Sequence, residues 1–75
     1  MNNKIIDDIV ENIVKNWDLS KLDSLNKNDA REIIKYFMKQ YDDKSQNILE
    51  YIILYKYPQY HNIFISIKNA KALLK

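Results

Sequence analysis

Proton transfer and metal coordination draw on histidine, cysteine and convergent carboxylates, and this chain supplies few of them. His61 is the only histidine, and there is no cysteine. Multi-histidine metal sites and the HExxH motif fail for want of members, and no Ser/His/Asp triad can be assembled from motif spacing around His61. Disulfides, thiolate zinc sites and a cysteine nucleophile are excluded with the missing thiol. Acid pairs occur at Asp7–Asp8 and Asp42–Asp43. Adjacent helical residues point about 100° apart, so neither pair converges on one ion, and helix-end electrostatics account for both. With no glycine in the chain, phosphate-cradling loops and an EF-hand turn are also absent. The expectation is a protein that is not an enzyme and carries no cofactor or metal.

Two other residue classes remain. Tyr36, Tyr51, Tyr55, Tyr57 and Tyr60 cluster around the third helical segment and the single proline, Pro58. Tyrosine gives amphipathic contact area at interfaces. Tyr36, Leu54 and Ile65 also fall outside the apolar stripes of their own segments. A partner-binding surface is therefore expected around Tyr36, Tyr51, Leu54, Tyr57, Tyr60 and Ile65, for another protein or for a second copy.

The alternative rests on charge. Residues 1–43 carry seven basic and nine acidic side chains, whereas residues 44–75 carry five lysines and one glutamate. Lys68, Lys71 and Lys75 share a side of the last segment, and Lys56 could join them, as for phosphate contact. Arg31 is the only arginine, however, and bidentate base readout leans heavily on that residue. Nucleic-acid binding is the second expectation.

The elements that must position these residues follow from hydrophobic periodicity. Ile5, Ile6, Ile9, Val10, Ile13, Val14 and Trp17 recur at helical spacing from Lys4 to Trp17. Asp18 is placed to cap a short segment bearing Leu19, Leu22 and Leu25. Asn26 or Asn28 then caps a helix with Ala30, Ile33, Ile34, Phe37, Met38 and Tyr41 on its apolar side. Asp43 or Ser45 caps a third, reaching about Lys56, in which Ile48, Leu49, Ile52, Ile53 and Tyr55 cover a wide arc that Tyr51 and Leu54 extend. So much apolar surface implies a central helix or one that meets a partner. Pro58 interrupts the chain, and a fourth helix carries Tyr60, Ile63, Phe64, Ile67, Ala70 and Leu74 on one side. Ile65 falls on the opposite side.

The fold expected is all-α, a single domain over residues 1–75 built as a compact bundle of four or five short helices. A competing α+β reading makes residues 51–67 a hairpin, because Ile, Tyr and Phe abound there and Ile63, Ile65 and Ile67 alternate. The missing glycine and the want of a third strand count against it. No apolar run approaches the roughly 20 residues of a membrane span, and the N-terminus lacks signal-peptide features, so an unprocessed cytoplasmic chain is expected. Ile, Lys, Asn and Tyr make up 38 of the 75 residues, as AT-rich coding would produce. That composition, with the small size, would suit a regulator or inhibitor from a virus, phage or mobile element.

Overall fold

The computed structural model describes residues 2–73, and among them every regular element is helical: α1 (Asn3–Asn16), a 3₁₀ segment (Ser20–Ser24), α2 (Lys27–Gln40), α3 (Asp43–Lys56), a 3₁₀ turn (Pro58–Tyr60) and α4 (His61–Leu73). The hairpin reading of residues 51–67 is overturned. That stretch completes α3, breaks at Tyr57, and enters α4 through a 3₁₀ turn with Pro58 in its first position. A proline fixes φ for such a turn and disfavours helix at the residue before it. Leu74 and Lys75, expected on the last helix, lie outside the described residues.

Side-chain oxygens start the three long helices that begin after a loop. Asn2, Asn26 and Asp42 accept from the backbone N–H of Ile5, Asp29 and Ser45 at 2.9, 2.8 and 2.9 Å. The cap of α3 is thus Asp42 rather than Asp43 or Ser45. Asp42 sits immediately before the helix with extended backbone angles, as a cap must, whereas Asp43 is already helical. Its carboxyl is held below the usual 3.8, first by the Ser45 backbone bond.

Helix ends are harder to close without glycine. Trp17 ends α1 in the left-handed conformation at φ 52°, the only non-glycine residue with positive φ among those described. That geometry costs an ordinary residue about 1 kcal/mol. Offsetting it, the indole packs edge-on to Phe37 at 6.2 Å between ring centroids, and Phe37 stacks on Tyr41 at 4.6 Å on another side. The end of α2 is closed from elsewhere. Gln46 Nε2 donates to the carbonyls of Met38 and Tyr41 at 3.0 and 2.7 Å, and Lys71 Nζ donates to Met38 O at 2.9 Å.

Gln46 is the one buried polar side chain among the described residues, 8% exposed. Replacing it with methionine keeps the volume but strips two carbonyls of a donor. We expect a loss of about 1–3 kcal/mol, read as a lower urea midpoint at unchanged slope.

Helix α2 is the centre. It buries Ala30, Ile33, Ile34, Phe37 and Met38, and it packs against both α1 and α4. Helix α1 contributes Ile6, Val10 and Ile13, the 3₁₀ segment and its preceding residue Leu22 and Leu19, and the C-terminal half Leu49, Ile53, Tyr60, Phe64 and Ile67, all in one cluster. The radius of gyration, 11.4 Å, matches the roughly 11 Å of a compact chain this long. Helix α3 is therefore not central, although it is apolar almost all round. No helix among the described residues is long and apolar enough to cross a membrane.

Candidate functional site

Two apolar stripes run along α3. The inner one, Leu49 and Ile53, is buried together with the polar Gln46 one turn before it. Ile48, Tyr51 and Tyr55, spaced i, i+3 and i+7, make a second, exposed stripe that Leu54 widens, while Ile52 at its edge is partly buried against the core. Ile48 is 37% exposed, Tyr51 62%, Leu54 48% and Tyr55 67%. These are four of the six large hydrophobic residues exposed among those described; Ile5 and Leu73 are the others. The Tyr51 and Tyr55 rings lie 4.5 Å apart, tilted by 42°. Their mutual contact holds a continuous aromatic surface over one helical turn.

At about 200 Å² for a whole large side chain, the four expose roughly 400 Å² of apolar surface, a sizeable patch for so small a protein. Charges lie at its edges. Lys44 and the acids Asp42 and Asp43 stand at the start of α3, Lys56 at its end, and Glu50 on the flank is paired with Lys68 at 3.1 Å.

The structure separates the six residues expected to form one surface. Tyr51 and Leu54 are on the α3 face. Tyr60 is only 7% exposed and belongs to the core, which withdraws it from any free surface. Tyr36, Tyr57 and Ile65 are half-buried against the core cluster. Two hydroxyls also have internal partners: Tyr36 donates to Asp7 at 3.1 Å and Tyr57 to Asp18 at 3.0 Å. Tyr60 donates to Asp23, which also accepts from Gln59 at 3.2 Å. Tyr57 and Tyr60 thus tie the second half of the chain to aspartates of the first, and Tyr36 ties α2 to α1. Ile48 and Tyr55, which the sequence places in the wide apolar arc of this helix but not among the partner-binding residues, join Tyr51 and Leu54 on the exposed face.

The chain matches no family model, no curated protein and no solved structure.

Two of the lysines expected to act together are engaged by different partners. Lys56 is exposed at the end of α3, Lys68 pairs with Glu50, and Lys71 lies between α2 and α4 on the Met38 carbonyl. Lys75 is outside the described residues. A cleft of about 250 Å³ beside Lys68 contains Asp43, Gln46 and Glu50, but Gln46 and Glu50 are already engaged as described. Among the described residues no three histidine, aspartate or glutamate side chains converge to hold a metal ion.

The tyrosine–aspartate ties carry a pH signature. Burial, then the bond to Asp23, pushes the Tyr60 phenol well above its usual 10.0. Burial and Asp18 act likewise, in that order, on Tyr57. Below pH 10 both folded and unfolded chains keep these protons, so the contribution is complete. Above it the unfolded chain releases protons that the folded state retains, and stability falls as pH rises. Tyr60→Phe should flatten that alkaline decline, measured as the difference between urea midpoints at about pH 8 and pH 11. An equally steep decline would place its source elsewhere.

Proposed function

We propose that this chain is a non-enzymatic protein-interaction module, a small regulator by type, that docks through the outer face of α3, and that the occupant it fits best is a second copy of itself. The exposed stripe of Ile48, Tyr51, Leu54 and Tyr55 carries this reading. A helix already anchored by its inner stripe has no folding reason to keep a second apolar stripe in water, because each such side chain gains about 1.5–3 kcal/mol on full burial. Aromatic-rich apolar centres with charges at the rim are the anatomy of protein interfaces.

Self-complementarity supports the second copy. Two α3 helices laid antiparallel across a two-fold axis bring Ile48 against the partner's Tyr51, and the Lys44 ammonium against the partner's Tyr55 ring, a cation–π contact. The same register sets the end bearing Asp42 and Asp43 beside the partner's Lys56, and opposes the helix dipoles favourably. With its rim, roughly 600 Å² per copy would be buried, the lower limit for a specific dimer, so a dissociation constant in the micromolar range is expected. Sedimentation equilibrium of the chain from about 5 µM to 1 mM tests it. A dimer should appear across that range, and a monomer throughout removes the second copy as the occupant.

The phosphate-binding alternative has less support from the geometry, because Lys68 is paired with Glu50 and Lys71 is engaged by the Met38 carbonyl.

A further inference from the structure

Cations do gather elsewhere, where α2 meets α4. Arg31, Lys35 and Lys39 follow one another at four-residue spacing along α2 and, with Met38, form one bank of a groove. Ile67, Ala70 and Lys71 of α4 form the other, enclosing about 460 Å³. The floor is apolar and the rim carries four positive charges. The ion pair found among the described residues is Lys68–Glu50, so none of these four has a carboxylate partner there. Two are nevertheless tethered: Lys71 through Met38 O at 2.9 Å, and Arg31 Nη2 towards Ser66 Oγ at 3.5 Å. Fixing side chains across the groove lowers the ordering cost of binding.

We propose that this groove docks an acidic amphipathic helix of a partner protein. The spacing selects the occupant. Residues four apart on one helix rise about 6 Å, so Arg31, Lys35 and Lys39 form a ladder about 12 Å long. A second helix lying alongside repeats its own carboxylates at the same 6 Å when glutamates or aspartates recur every fourth residue. The two ladders stay in step over all three rungs. Leucine-like side chains on the adjoining face of that helix would cover Met38, Ile67 and Ala70, in the manner of helix-in-groove recognition. An amphiphile with one anionic head would leave most of the cations unused. Duplex nucleic acid meets the cations through phosphates and offers nothing to the apolar floor, and the groove lacks the aromatic side chains on which single-stranded bases stack. The groove shares no residue with the outer face of α3, so this site stands whether or not the chain dimerises.

The probe is a labelled fourteen-residue synthetic peptide with glutamate at every fourth position and leucine on the neighbouring face, used beside its glutamine counterpart and a short DNA duplex. Amide shifts of the ¹⁵N-labelled full chain should move around Met38, Ile67 and Ala70 and not around Tyr51 and Leu54. Lys35→Glu with Lys39→Glu should weaken the acidic peptide at least tenfold at low salt, and the glutamine peptide should bind at least tenfold more weakly than the acidic one. Ala70→Trp, which fills the groove without changing its charge, should do the same, with helicity of each variant checked by circular dichroism. No shifts at millimolar peptide, shifts centred on α3, affinity indifferent to these substitutions, or duplex binding as tight as the peptide would each overturn the proposal.

Discussion

Tyr51→Asp combined with Leu54→Asp is expected to leave the chain folded and monomeric. Both side chains are about half or more exposed, at 62% and 48%, so far-UV dichroism and thermal midpoint should stay close to those of the parent. Association should respond very differently. Losing two apolar anchors at an interface centre removes about 2 kcal/mol each, and burying unpaired carboxylates adds to it. A total above about 4 kcal/mol is roughly a thousandfold in dissociation constant, which takes a micromolar dimer out of reach of sedimentation. Ile65→Asp makes the contrasting control. Sequence alone grouped Ile65 with Leu54, but it is half-buried against the core, and its replacement should lower stability first. If the Tyr51/Leu54 pair unfolds the chain instead, the outer stripe is core and the docking reading fails.

The second large effect belongs to the core. Phe37→Ala should cost about 3–5 kcal/mol, because it empties a site 1% exposed and removes ring contacts with Trp17 and Tyr41 together. A chain of 75 residues has roughly 4–10 kcal/mol in all. The variant therefore sits near the edge of folding, with a thermal midpoint lowered by at least about 12 °C by calorimetry. A shift of only a few degrees would mean that the surrounding helices collapse into the space. Because α2 touches α1 and α4 alike, such collapse would disturb the whole bundle.

Helices α1 and α2 were legible because their apolar residues define one stripe each, which leaves a single way to bury them. The cap of α2 was narrowed to Asn26 or Asn28 by where its stripe begins, and the backbone N–H of Asp29 donates to Asn26. The extent of α3 to Lys56 was legible too, but its orientation was not, since two stripes compete and local periodicity cannot say which meets the core. Leu49 and Ile53 win through their neighbours on α4 and the 3₁₀ turn, a decision made by residues distant in sequence. The tyrosine hydroxyls were hidden likewise. Tyr36, Tyr57 and Tyr60 find their aspartates 29, 39 and 37 positions away, and no spacing rule links such pairs. Charge counting by segment correctly saw a basic C-terminal half but missed that Lys71 would join Arg31, Lys35 and Lys39 across the groove. The short leucine segment was read as helical, and its observed 3₁₀ form follows from the intervals of three between Leu19, Leu22 and Leu25.

Trp17 closes α1 in a strained conformation and rests against Phe37, and it is the only indole in the chain. It lines neither the α3 stripe nor the α2–α4 groove. The molecule thus contains a native fluorophore that senses the junction of α1 with α2 and not the two proposed docking surfaces. Its emission should stay constant while a ligand or second copy binds, and shift only when the bundle opens, so one cuvette can separate occupancy from unfolding without a label.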